Sequence, residues 1–247
     1  MKIKLYAALL VLSSSIISTQ AAITVTTDFQ IGPGGAGSVF TPTYTIPAND
    51  VLNGLTPTAF SGNFAAVELS GGLPVMTDGV FGTITEPGGA ADRTHAAFGL
   101  GGGGSGTGTS VTYGLNLGGA PLGYNISSIV SLGGWNDNGR DQQLFSVFYS
   151  TVASPGTFIQ IGSTVNFNPT VGDNLQSATK VTISDSTNAA LASGVAALRF
   201  DFPAGVENGY TGYAELAAVG TATVPEPSAV AVLALGSAVL GCIRRRR

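Results

Sequence analysis

From Ile23 to Thr223 apolar residues fall at every second position over short runs, and no long segment repeats them at helical spacing. Leu198, Phe200 and Phe202 alternate with Arg199 and Asp201, and Val181 and Ile183 alternate with Lys180, Thr182 and Ser184. Such a period of two describes a strand with one buried and one wet face. Further runs lie at Val111–Leu117, Ile126–Leu132, Gln143–Tyr149, Thr157–Ile161 and Tyr210–Val219, separated by Gly, Pro, Asn and Asp turns. The pattern predicts at least seven strands and an all-β fold, an antiparallel jelly-roll-like β-sandwich over residues 23–223. A parallel architecture would need crossover helices, and the pattern contains none. Gly99–Gly108 reads as a flexible surface loop; its G-x-G-x-x-G match at Gly101, Gly103 and Gly106 precedes a strand, so it offers no helix N-terminus to a phosphate.

The two ends depart from this alternation. Met1–Lys4 is short and positive, Leu5–Leu12 is apolar, and Thr19-Gln20-Ala21-Ala22 supplies small residues, which together predict a signal peptide over 1–22. At the other end, residues 224–247 run Val224-Pro225-Glu226-Pro227-Ser228, an apolar stretch over 229–243 and then Arg244-Arg245-Arg246-Arg247. The terminal arginines would hold that end on the cytoplasmic side of a membrane, and the prolines would keep the preceding backbone extended. A plain C-terminal anchor predicts the same orientation.

Composition narrows the chemistry. Charged residues make up 10% of the 247 and glycine is abundant, with 36 copies. Loss of both ends leaves Arg93, Arg140, Lys180 and Arg199 against 13 acids, a net charge of −9. That balance argues against nucleic acid and favours divalent cations or neutral glycans as partners. Cys242, the only cysteine, lies in the tail, so the domain has no disulfide. His95 is the only histidine and reads as an exposed loop residue; neither a G-x-S-x-G nor an H-E-x-x-H pattern occurs, and no catalytic residue is predicted.

The order Pro-Glu-Pro, apolar run, basic cluster and stop resembles the PEP-CTERM sorting signal, also called the ice-binding protein C-terminal domain. The resemblance covers about the last two dozen residues. It implies a Gram-negative, exopolysaccharide-making bacterium, with processing by signal peptidase and exosortase. The C-terminal helix would insert transiently in the membrane, and the product would reside at the cell surface or in the matrix. Over about residues 73–220 the chain also loosely resembles galactose-binding-like or discoidin-like domains. The matching features are Thr77-Asp78-Gly79, Tyr124-Asn125-Ile126, the Trp135–Asp141 segment and Tyr213-Ala214-Glu215-Leu216, while Ile23–Gly72 is unmatched.

Two groups of residues are candidates for binding. Trp135, Asn136, Asp137, Arg140 and Asp141 combine an aromatic face with planar polar groups, the types that sugar recognition uses. The same residues also suit a polar inter-strand turn, with Asn138-Gly139 at the reversal, Trp135 packed at the end of the sandwich and Arg140 paired to an Asp. In the family resembled, an acidic residue before Gly and a carboxylate on the last strand help hold a structural calcium, which points to Asp78 and Glu215. Glu215 shares the alternation of Tyr213 and Val219, so an inward face would give it a buried charge in need of a cation or donors. No other cofactor is expected.

These features predict an exported, non-enzymatic surface or matrix protein whose β-sandwich is a candidate for binding carbohydrate such as exopolysaccharide. A purely structural matrix protein is the alternative. A glycan-degrading enzyme with two distant carboxylates is a more remote one.

Overall fold

The computed structural model describes residues 22–35, 38–65, 70–85, 94–99, 109–137, 139–172, 175–203, 207 and 209–223. The residues before Ala22, where a signal peptide is expected, the glycine run 100–108, Asn138 and the whole tail lie outside the described residues. The tail includes Pro225, Glu226, Pro227 and Arg244 to Arg247. Among the described residues no helix is long and apolar enough to cross a membrane.

Each of the seven predicted runs coincides with a strand. These strands are β6 (Thr109–Gly114), β7 (Tyr124–Trp135), β8 (Gln143–Thr151), β9 (Ser154–Phe167), β10 (Ser177–Asp185), β11 (Ala192–Phe202) and β12 (Tyr210–Ala222). Six of them reach past the predicted run, whereas β6 stops at Gly114 and leaves Leu115–Leu117 in the following turn. Earlier in the chain come β1 (Ile23–Ile31), β2 (Val39–Phe40), β3 (Ala59–Ser61), β4 (Ile84–Thr85), β5 (Ala96–Gly99) and a 3-10 turn over Leu73–Thr77. Every pairing between these strands is antiparallel. One layer runs β1-β10-β7-β12-β5 and the other β9-β8-β11-β6-β3, joined where Ala192 and Val195 of β11 pair with Ile126 and Tyr124 of β7. The fold is therefore the antiparallel, jelly-roll-like sandwich that the alternation predicts.

The N-terminal stretch that the resemblance does not cover has a definite structural role. β1 pairs along its full length with β10, from Ile23 opposite Asp185 to Ile31 opposite Ser177. Residues 49–52 run beside β12, where the Val51 N–H donates to the Ala218 carbonyl at 2.9 Å.

Between the layers, Phe145, Phe200, Phe202 and Tyr213 form an aromatic chain, with Phe202 and Tyr213 centroids 4.8 Å apart. Each such side chain stabilises the fold by about 1.5–3 kcal/mol on burial, and Tyr213 also accepts the Leu144 N–H at 3.0 Å. A smaller cluster covers the outside of the first layer, where Phe40, Tyr44 and Ile46 pack over Phe81, Ile84, Val130, Leu132 and Ala217. This second cover explains why β12 is buried on both faces although a sandwich strand usually has one wet side.

Two local irregularities shape the end of β7 and the faces of β12. Gly134 has φ of 141°, and a Cβ there would stand 2.1 Å from the Ser177 carbonyl oxygen. Only glycine suits that backbone. In β12 the register shifts between Tyr213, opposite Gly133, and Glu215, opposite Leu132. The shift breaks the alternation assumed from sequence: Tyr213, Leu216 and Ala218 join the inner core, whereas Glu215 shares the face of Leu132 in the outer cluster.

Candidate functional site

Trp135 ends β7 and is 7% exposed. His95 meets it edge-on, with ring centroids 6.2 Å apart and planes at 90°. The Arg140 guanidinium lies 5.1 Å from the Trp135 ring and 5.0 Å from that of Tyr210, held between two aromatic faces. Arg140 is also 4.0 Å from Asp137, and the Asp137 Oδ1 accepts the Gly139 N–H at 2.8 Å, an Asx turn that shapes the β7–β8 loop. Asn136 and Asp137 are half-buried on that loop. Trp135 is thus packed at the end of the sandwich beneath Arg140, as the turn reading has it.

His95 differs from expectation. It is 3% exposed and in contact with Phe81 as well as Trp135, because the outer layer closes over β5. Burial lowers its pKa to about 4. The imidazole Nδ1 is 3.0 Å from the Thr94 hydroxyl.

Asp141 is 1% exposed. Its N–H and that of Gln142 both donate to Glu207 Oε2 at 2.9 Å, which fastens the β7–β8 loop to the connection between β11 and β12. Thr211 and Thr179 hydroxyls donate to the Gln142 and Asp141 carbonyls at 2.8 and 3.2 Å. Burial, reinforced by the Glu207 carboxyl beside it, pushes the Asp141 carboxyl up to about 7. From β9 the Asn166 Oδ1 accepts the Gln142 amide at 2.7 Å, and the Asn168 amide donates to Gln142 Oε1 at 3.4 Å. The β7–β8, β9–β10 and β11–β12 connections therefore meet at one end of the sandwich. There Asn168, Pro169, Thr170, Val171 and Glu207 line an open cleft of about 420 Å³.

Away from that cleft, the fold brings the other predicted pair together. The Glu215 Oε2 accepts the Gly79 N–H at 3.1 Å across 136 positions of sequence, and the Asp78 carboxyl is its neighbour. Glu215 is fully buried, and burial, with the charges of Asp50 and Asp78, pushes it up to about 9. Asp50 was not picked out from the sequence; its Oδ1 accepts the Leu52 and Ala218 N–H groups at 2.9 and 2.8 Å. Glu215 Oε1 and Asp50 Oδ2 are buried without hydrogen-bond partners. An all-oxygen set with orphaned carboxylate atoms fits calcium. No three acidic, His or Cys side chains among the described residues converge as metal ligands, so a cation here would draw on carbonyl oxygens or water as well.

Sequence reasoning also missed Glu207, Asn168 and Tyr210. Their one local signal was position, since Glu207 is the acid in the turn-rich connection leading into the last strand.

No family model matches the chain, and no curated protein matches it. Solved structures with some likeness include the C-terminal domain of a chitobiase from Bacteroides fragilis, at 17% identity and TM-score 0.45, covering 70% of this chain and 98% of that one. Another is CpGH89CBM32-5 from Clostridium perfringens in complex with GalNAc-β-1,3-galactose, at 17% identity and TM-score 0.38, covering 65% and 91%. A third is a pectin-binding carbohydrate-binding module, at 14% identity and TM-score 0.37, covering 69% and 96%. A likeness of this size carries no argument about what this chain binds; the antiparallel sandwich stands on its own strand pairing.

Proposed function

We propose that this chain is an exported surface or matrix protein whose sandwich binds a glycan, without catalysis, at the end where three connections meet. The observation that carries the reading is the cleft itself, which gathers the polar residues Asn168, Thr170 and Glu207 around one open space. Such planar and hydroxylic groups match the alternating donors and acceptors of a sugar. Asn136, Asp137 and Arg140 lie on the β7–β8 loop that Glu207 fastens, and are proposed as further contacts, with Trp135 as the platform that holds Arg140. Of the two neighbouring carboxyls, Glu207 lines the cleft and Asp141 is buried behind it. Two-carboxylate hydrolysis needs both groups flanking the sugar, so the arrangement favours binding over cleavage.

The experiment is retention of the protein on the polysaccharide of its own producer. Arg140→Ala and Asn168→Ala should each weaken retention about tenfold, the loss of roughly 1.4 kcal/mol. Unchanged retention in both variants would remove the glycan assignment. Slow loss of polysaccharide chain length, abolished by Glu207→Gln, would instead support the degrading enzyme.

The address is a second part of the proposal. Cleavage near Ala22 and removal of the segment after the Pro225-Glu226-Pro227 motif by exosortase would release the domain to the surface. Intact mass with C-terminal sequencing of medium, matrix and membrane fractions tests it: a chain still ending at Arg247 in membranes would make the tail an anchor. Asp78 and Glu215 are proposed to hold a structural calcium that ties the Gly79 loop to β12.

A further inference from the structure

Behind the cleft the fold buries a second collection of oxygen atoms with too few hydrogens to satisfy them. Neither carboxylate oxygen of Asp141 has a hydrogen-bond partner, although the residue is almost wholly enclosed. The Ser177 hydroxyl on β10 is fully buried and close enough to that carboxyl to favour its charged form as a donor, yet the two do not reach full hydrogen-bond geometry. The Glu207 carboxyl completes the group. Its Oε2 is committed to the two loop N–H groups.

Charge makes the arrangement costly as it stands. Among the described residues no Lys or Arg forms an ion pair with Asp141 or Glu207, and the nearby Arg140 is engaged by two rings and Asp137. Two adjacent carboxylates with no cation repel each other, and burial amplifies the cost. The unsatisfied atoms of Asp141 and Ser177 are hard oxygens, and the group sits where Glu207 meets an open cleft, which supplies a path for an ion.

We propose that Asp141, Glu207 and Ser177 hold a calcium-class divalent cation that fastens the β7–β8 loop to the connection entering β12. Water and backbone carbonyls complete its six to eight oxygen ligands. With two carboxylates, affinity belongs in the range of extracellular modules, on the order of 10⁻⁴–10⁻³ M. The site shares no residue with the Asp78–Glu215 pair, and the ion is held whether or not the cleft takes a sugar.

Trp135 provides the readout, because it lies directly opposite Ser177 across the β7–β10 pairing and is the single tryptophan of the chain. The protein as recovered from its producer, stripped with chelator, is titrated with Tb³⁺ under tryptophan excitation, and Ca²⁺ is then added as competitor. The expected result is Trp135-sensitised terbium emission that calcium displaces, reduced at least tenfold in Asp141→Asn and in Glu207→Gln but retained in Glu215→Gln. Glu207→Gln keeps an oxygen to accept the two loop N–H groups, so it decides the matter if Asp141→Asn fails to fold, with near-ultraviolet circular dichroism as the folding check. Emission that is absent in the parent, or equal in parent and Glu207→Gln, overturns the site. Emission lost in Glu215→Gln alone overturns it too, by assigning the ion to the other pair.

Discussion

His95 carries the clearest residue-scale consequence of the outer layer. Its folded pKa of about 4 lies below the ordinary value of 6.5. Between those values the unfolded chain binds a proton that the folded chain does not. The contribution of this group therefore leaves stability intact above about pH 6.5 and removes it progressively as pH falls toward about 4. Since no second histidine exists, its ring-proton resonance can be followed by NMR without ambiguity. A midpoint near 4 is expected; one at 6.5 or above would mean an exposed ring. Arg140 belongs to the same scale. Arg140→Ala deletes two ring contacts and a weak, half-exposed ion pair, and should cost about 1–2 kcal/mol, measurable by urea denaturation. Trp135, Asn136 and Asp137 were visible in sequence as a group because they are adjacent. Glu207 was not, since its two N–H donors come from residues 65 and 66 positions away.

At the scale of elements, alternation was a sound guide wherever a strand has a regular register. It located β6, β10 and β11 because each buries one row of apolar side chains, and it also found β7, β8, β9 and β12. It failed at β12, where the shift between Tyr213 and Glu215 moves the glutamate to the outer face. It also passed over β1, whose exposed Val25, Phe29 and Ile31 belong to an edge strand with a single partner. The tight crossing of β7 and β10 yields a prediction of its own. Gly134→Ala places a methyl group against the Ser177 carbonyl and should destabilise by about 1–3 kcal/mol or more, read as a lower thermal midpoint with the strand content unchanged. In β12, Glu215 is held protonated well above the usual carboxylate range, to about 9. Without a cation, the folded chain keeps a proton that the unfolded chain has released above about 4.5, so stability falls as pH rises through that window. Calcium requires the carboxylate form and should therefore raise the thermal midpoint more at about pH 8 than at about pH 5. Glu215→Gln should flatten that calcium response; a response unchanged in Glu215→Gln would exclude the Asp78–Glu215 site.

The whole molecule joins two kinds of information. The all-β class and the absence of familiar nucleophile and zinc motifs were determined by the sequence alone. So were the acidic balance and the expected address written at the two ends. Each of these depends on local composition or on a short period, and the backbone geometry of a strand turns a period of two directly into two faces. The sequence also named Asp78 and Glu215 as partners through a family resemblance, but alternation alone left open which way Glu215 faced. The tertiary structure decided that Glu215 is buried, that Asp50 joins it, and that His95 lies inside and not in a loop exposed to water. It likewise decided that Arg140 lies over Trp135, and that Asp141 is enclosed against Glu207 behind the cleft. Those outcomes arise from pairings between strands far apart in the chain and from a second layer laid over β12. Neither leaves a periodic trace in the residues that it brings together, because contact across a sandwich is set by register and by the shape of connections, and not by neighbouring sequence.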